Sequence, residues 1–147
     1  MKEKDILKII APCGLNCYKC FANSEGPIRK TSLQLQKLLG SFDIYAERFS
    51  SFLPIFKEYQ SFKILLKYFA EENCPGCRNG SCLYPDCGVR DCYKAKRVDY
   101  CFQCDEFPCE KSNFDELLKQ RWVQINKRME EIGIESYYQE TKNVPRY

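Results

Sequence analysis

Residues 74–92 read Cys74-Pro75-Gly76-Cys77-Arg78-Asn79-Gly80-Ser81-Cys82-Leu83-Tyr84-Pro85-Asp86-Cys87-Gly88-Val89-Arg90-Asp91-Cys92. Residues 101–109 close the run as Cys101-Phe102-Gln103-Cys104-Asp105-Glu106-Phe107-Pro108-Cys109. This stretch decides the fold. It holds eight of the eleven cysteines, is broken repeatedly by proline and glycine, and has few aliphatic side chains. Such a segment cannot bury enough apolar surface to offset the entropy of ordering its backbone. Something other than an oily interior must hold it, and the thiols are the groups available.

The other three cysteines stand upstream, in Ala11-Pro12-Cys13-Gly14-Leu15-Asn16-Cys17-Tyr18-Lys19-Cys20. Three C-x2-C pairs result: Cys17/Cys20, Cys74/Cys77 and Cys101/Cys104. Two intervening residues let a tight turn present both sulfurs to one metal at about 2.3 Å, and a closed structural zinc site takes four such ligands. The chain has no histidine, so any zinc is held by thiolates. Candidate metal ligands are therefore Cys13, Cys17, Cys20, Cys74, Cys77, Cys82, Cys87, Cys92, Cys101, Cys104 and Cys109. Two four-thiolate sites use eight of them and leave three; three sites lack one ligand. Asp86, Asp91, Asp105 or Glu106 could supply it, as could an open coordination position or bridging thiolates. The expectation is two or more zinc ions, with Cys13, Cys17 and Cys20 joined by a distant cysteine. Spacing alone does not pair the ligands.

Composition sets the wider frame. The 147 residues suit a single domain, and 44% hydrophobic content excludes global disorder. Net charge is +3 with acidic and basic residues interleaved, which argues against nucleic acid as partner. The nearest approach to a basic patch is Arg90, Lys94, Lys96 and Arg97, beside Tyr93 and Tyr100. The apolar run Ile6 to Ala11 is interrupted by Lys8, too short for a signal peptide, and nothing approaches the ~20 residues of a membrane span. The chain reads as cytoplasmic, with no membrane contact. In that reducing compartment close thiols are metal ligands rather than disulfides.

The cysteine-free stretches read as helices. Thr31 or Ser32 can cap a helix carrying Leu33, Leu35, Leu38 and Leu39, stopped by Gly40. A second helix is expected from about Asp43 to Phe52, broken by Pro54. A third runs from about Ile55 to Glu71, with an apolar stripe at 55, 56, 59, 62, 65, 66 and 69. Ser112 and Asn113 signal the start of another, with Phe114, Leu118, Trp122, Ile125, Met129 and Ile132 on one face and Gly133 as its stop. A short helix over Glu135 to Lys142 comes after it. The expected layout is one domain over 1–147: metal-binding segments 11–20 and 74–109, a helical insertion at 31–72, and C-terminal helices at 112–142. The fold class expected is mainly α, with an irregular cysteine-rich, metal-bound lobe containing short β-hairpins around its knuckles (small α+β).

These motifs resemble those of a known family. Cys13-Gly14-Leu15-Asn16-Cys17-Tyr18-Lys19-Cys20 is similar to its N-terminal element, and Cys74-Pro75-Gly76-Cys77 to its central pair. Cys87-Gly88-Val89-Arg90-Asp91-Cys92 and Cys101-Phe102-Gln103-Cys104-Asp105-Glu106-Phe107-Pro108-Cys109-Glu110 are similar to its later elements. The family is the cysteine-rich domain of unknown function 3795 of bacteria and archaea, regarded as zinc-binding. The resemblance covers about residues 10–119. It departs from the pattern in the wider spacing of Cys82 and Cys87 and in a longer cysteine-free helical stretch. It implies a metal, and no particular activity.

Other readings carry less. Cys13-x3-Cys17-x2-Cys20 has the spacing of a radical-SAM cluster loop, so an iron–sulfur cluster with a redox role is the alternative cofactor. A radical-SAM barrel does not fit in this length, and the later cysteines do not follow the two-cluster ferredoxin run. Cys74-Pro75-Gly76-Cys77 could be a redox pair but lacks strand–helix context. Asp105 and Glu106 could serve an open zinc site, yet four thiolates quench Lewis acidity. No catalytic residue is assigned. The reading is a zinc-binding protein in which the metal is structural; the alternative is a zinc-dependent module that binds protein or nucleic acid.

Overall fold

The computed structural model describes residues 2–80 and 82–147. Its helices are α1 (Glu3–Ile6), α2 (Pro27–Leu39), α3 (Phe42–Phe49), α4 (Tyr59–Glu71), α5 (Val89–Lys96), α6 (Glu116–Ile132) and α7 (Ile134–Thr141). Contacts divide the chain into two units, one formed by the chain up to Cys20 with Cys74–Tyr147, the other by Phe21–Asn73.

The expected β-hairpins are not there. The described residues form no strand and no sheet; an isolated antiparallel bridge joins Ile10 to Asn16. The reason lies in the knuckles. Cys77–Asn79 and Cys101–Gln103 curl into single 3-10 turns, whose N–H groups bond back three residues rather than across to a second strand. The lobe is also less irregular than expected, since α5 begins directly after Cys87-Gly88.

In the Phe21–Asn73 unit, α2 packs along α4, and α3 packs against α4 and the 3-10 turn Pro54–Glu58 that precedes it. α2 starts at Pro27, four residues earlier than Thr31, with Gly26 as its N-cap. Proline at the first helical position forfeits an N–H that has no partner there anyway. Ser32 is an interior, buried residue rather than a cap. An aromatic cluster fills the space between α3 and α4: the Phe42 ring lies 5.2 Å from Tyr59 and 5.6 Å from Phe56. The expected stripe on α4 is rotated. Tyr59, Leu66 and Ala70 are buried while Ile55, Phe62 and Leu65 are exposed; the 3-10 turn Pro54–Glu58 takes Ile55 and Phe56 out of the helical register, and within α4 the buried face runs through 59, 66 and 70.

The other unit is built on α6. Its cap is Asp115, whose carboxylate accepts from Leu118 N–H at 2.9 Å, two residues beyond the Ser112–Asn113 signal. Phe114, Leu118, Trp122, Ile125, Met129 and Ile132 all turn inward to some degree, and Trp122 and Met129 are fully buried. After Gly133 the chain folds back as α7, which packs on α6 and α1. Two cores result. One joins Ile6, Ile10, Tyr100, Met129, Ile134 and Tyr137. The other joins Ala11, Cys13, Cys17, Cys87, Val89 and Trp122, with further cysteines half-buried around it. Sulfur thus replaces aliphatic carbon in the second core. Among the described residues no helix is long and apolar enough to cross a membrane.

Candidate functional site

The N-terminal cysteine loop is fixed by its backbone. Ala11 N–H donates to Leu15 O at 2.8 Å and Cys17 N–H to Ile9 O at 2.7 Å. Cys101 N–H donates to Pro12 O at 2.9 Å, tying this loop to the closing cysteine segment. Gly14 makes the tight corner with φ +87°, and a Cβ there would lie 2.3 Å from Ile125 Cγ2. Gly88 is needed for a different reason. A Cβ on it would fall 1.8 Å from the Lys111 carbonyl oxygen, where the Cys87–Gly88 backbone presses on residues 111–112 and Gly88 N–H donates to Ser112 O at 3.3 Å.

The described thiols gather into two groups. In the first, Cys77 hydrogen-bonds to both Cys17 and Cys82, and Cys82 in turn to Cys87. Their titration alternates. The Cys77 thiol donates to Cys17 and lowers it to about 6. Bonds from Cys77 and Cys87 hold Cys82 far below the usual thiol range. The two donors are pushed far up. In the second group, Cys92, Cys101, Cys104 and Cys109 line one cavity with Trp122, Phe107, Lys96 and Lys111. The cavity is about 20 Å³, above the ~10–15 Å³ that one water needs. Burial pushes the Cys101 thiol up to about 12.

Cys13 adjoins both groups: it interacts with Cys17 and Cys82, and Cys101 interacts with it. It is buried, and desolvation raises it to about 11. Cys20 lies under Tyr147, whose hydroxyl donates to its sulfur at 3.7 Å. The C-x2-C pairs therefore behave differently. Cys101 and Cys104 face one cavity, whereas Cys17 and Cys77 join the first group and Cys20 packs against Tyr147.

Whether these residues fit a metal is judged from the donors. As the side chains stand, no three or more Cys, Asp or Glu groups among the described residues form a ready metal-holding cluster. The donor chemistry nonetheless fits a soft dication, with four sulfurs in each group and thiolate a soft ligand. Cysteine rotamers move a sulfur without moving the backbone. A further observation fits as well. Trp122 Nε1 is buried without a hydrogen-bond partner, and the Cys101 thiol lies beside it. A buried indole N–H without a partner, next to a cysteine, is a donor that a metal-bound thiolate could take up as an outer-shell bond. The carboxylates considered as extra ligands are otherwise engaged in part. Glu106 bridges Lys96 and Lys111 at 2.5 Å each, and these bonds lower its carboxyl to about 2. Asp91 pairs with Arg90 at 3.3 Å.

Three residues around the sulfurs carry no motif. Asn126 is buried in the apolar face of α6 and bonds Cys13 O, Trp122 O and Phe102 N–H. A polar residue at the i+4 position from Trp122 on that stripe is the available signal. Arg78 donates to Ile10 O at 3.2 Å and Asp99 O at 2.7 Å, and its guanidinium stands 5.4 and 5.1 Å from the rings of Tyr93 and Tyr100. Tyr100 is fully buried, so it belongs to the core rather than to a basic surface. Arg146 has no sequence signal at all; its placement depends on the path of the tail.

No curated protein and no solved structure matches this chain. Residues 9–114 match the family described as "Protein of unknown function (DUF3795)". The match takes in all the cysteines of both groups and the loop glycines that position them, and the chain belongs to this family.

Proposed function

We propose that this protein binds two zinc ions through cysteine thiolates, one on Cys17, Cys77, Cys82 and Cys87 and the other on Cys92, Cys101, Cys104 and Cys109, with the metal acting as the core of the cysteine-rich unit. The observation that supports this is the chain of thiol contacts through Cys17, Cys77, Cys82 and Cys87, together with the single cavity lined by Cys92, Cys101, Cys104 and Cys109. The first set draws on positions up to seventy residues apart (Cys17 and Cys87), so on this reading tertiary structure rather than local spacing brings the ligands together. Four-thiolate coordination leaves no open position for substrate, which supports a structural rather than a catalytic role. Binding energy in small sites of this kind is folding energy, about 10–16 kcal/mol per zinc.

Elemental analysis of the purified chain with its metal-to-chain ratio tests the reading. Two zinc per chain is the expected result. Iron with acid-labile sulfide would replace zinc by a cluster, and a metal-free folded chain would end the proposal.

A further inference from the structure

The Phe21–Asn73 unit buries little of its apolar content. Among its described residues the buried apolar side chains are Ala22, Ala46, Tyr59, Leu66 and Ala70. Leu35, Leu38, Tyr45, Phe62 and Leu65 are exposed, Leu38 at 76%.

Aromatic contacts set the direction of the helices that carry them. Phe42, at the start of α3, meets Tyr59 at the start of α4 at 5.2 Å. Phe21, ahead of α2, meets Tyr68 and Phe69 near the end of α4 at 6.2 and 5.9 Å. Since α2 packs along α4, the two run antiparallel, and α3 continues the course of α2 against the first turns of α4. The Asp43–Lys63 ion pair at 3.0 Å marks one flank of this layer. At about 100° per residue, Tyr45 falls on the opposite flank of α3, and Phe62 and Leu65 on the opposite flank of α4. In an antiparallel pair the same rotation from the seam leads to the same side of the layer. Leu35 and Leu38 stand at that rotation on α2, so the exposed apolar residues of three helices share one side.

The neutral residues Thr31, Gln34 and Ser61 border this side, and Arg48 and Glu58, opposite in charge, stand at its loop end; all five are exposed. Ile44 and Ile64 are exposed as well, but they point outward from the backs of their helices, apart from this side. A side with no net charge lacks the cations that nucleic acid or an anionic membrane requires. It meets a second copy of itself without like-charge repulsion, and Arg48 can face the second copy's Glu58 reciprocally. The area agrees. At roughly 100 Å² each, the five hydrophobic side chains expose about 500 Å², a contiguous patch of the size that is often functional. With the neutral border it approaches the ~800 Å² per partner of a standard interface.

We propose that this side of the α2–α3–α4 layer is a two-fold interface with a second copy of the chain, in which facing layers enclose Leu38 and Leu65 as the helices of a bundle enclose their core.

The test is the mass of the full-length chain by sedimentation equilibrium over a range of concentrations. A monomer–dimer equilibrium is expected. Leu38→Glu should weaken it roughly hundredfold, because a two-fold interface carries each residue twice. Leu38→Ala, which favours the helix, should weaken it roughly tenfold. Ile64→Glu, at a position 68% exposed and off the interface, should leave it unchanged. Far-UV circular dichroism checks that each variant keeps its helices, and Leu38→Ala decides if Leu38→Glu does not. A chain that is monomeric at every concentration overturns the proposal. So does a dimer that the Leu38 variants leave intact, or one that Ile64→Glu weakens equally. A monomer that binds phosphatidylcholine vesicles through Leu38 would give the face to lipid and overturn it too. None of these results depends on zinc content.

Discussion

Asn126 Nδ2 donates to the carbonyl oxygen of Cys13 at 2.9 Å while its Oδ1 accepts from Phe102 N–H at 3.1 Å. One fully buried amide thus fastens the N-terminal cysteine loop and the closing cysteine segment to the same point on α6. The Cys13 carbonyl is buried at that depth, and the Phe102 N–H is half-buried. Asn126→Leu removes both bonds and leaves two polar backbone groups unpaired. Each costs about 1–3 kcal/mol, so chemical denaturation should show a loss of roughly 2–5 kcal/mol. Asn126→Asp keeps the shape but replaces the donor with a second acceptor facing Cys13 O, and should also destabilise.

Trp122 is the other residue on which both cysteine segments lean. Its ring meets Phe107 at 4.8 Å and Phe114 at 5.7 Å, both edge-on. Trp122→Ala should cost about 3–5 kcal/mol, the usual range for a fully buried aromatic. Trp122→Phe keeps much of the packing but removes the indole N–H beside Cys101. It should therefore lower stability less, yet still speed zinc loss from the Cys92 group. Trp122 is the one tryptophan in the chain, so its emission reports metal removal directly.

Asp115 sets a pH limit on α6. Its carboxyl is held below the usual range first by Leu118 N–H and then by the Tyr84 hydroxyl. A depressed folded-state pKa means that the stabilisation is present above the unfolded value of about 4 and fades as pH falls through the folded one. Asp115→Asn should leave a gentler acid limb than the unaltered chain shows below about pH 4, read as thermal midpoint against pH. Asp115→Ala should lower the midpoint at neutral pH by removing the cap outright.

Single thiol replacements should sort the cysteines. Cys87→Ser or Cys92→Ser should each reduce zinc from two ions per chain to one. Cys20→Ser should keep both ions, because Cys20 belongs to neither proposed set of four. Cys13→Ser should also keep both, though it places a hydroxyl in a buried site and should lower stability. Mass spectrometry under native conditions counts the ions.

Much of the architecture is legible from residue order. The period of Trp122, Ile125 and Met129 and the stop at Gly133 define α6 nearly to its ends, since a long amphipathic helix is specified locally. Pro27 at the start of α2 is masked by Thr31 and Ser32, which offer a more familiar cap; proline at a first helical position needs no capping side chain. The expectation of β-hairpins rests on the habit of C-x2-C knuckles elsewhere. Here the turns are 3-10, and Cys101–Gln103 is anchored by the Gln103 side chain accepting from Tyr100 and Asp99 N–H. The grouping of sulfurs cannot be read from spacing. Cys17 parts from Cys20 because Cys17 N–H is committed to Ile9 O, which turns its sulfur into the core. Such long-range pairing leaves no local trace.

Chelation gives a broader check on the sulfur-built core. Removal of metal should unfold residues 74–109, with loss of near-UV signal from Trp122 and Tyr100. The Phe21–Asn73 unit contains no cysteine, so its helical far-UV signal should survive in part.

The most direct measurement is X-ray absorption at the zinc edge of the purified, fully loaded protein. A first shell of four sulfurs per zinc at about 2.3 Å is the predicted result, unchanged in the chain carrying Cys20→Ser. A shell dominated by oxygen or nitrogen, or a protein that folds with its sulfurs bound to no metal, would contradict the account.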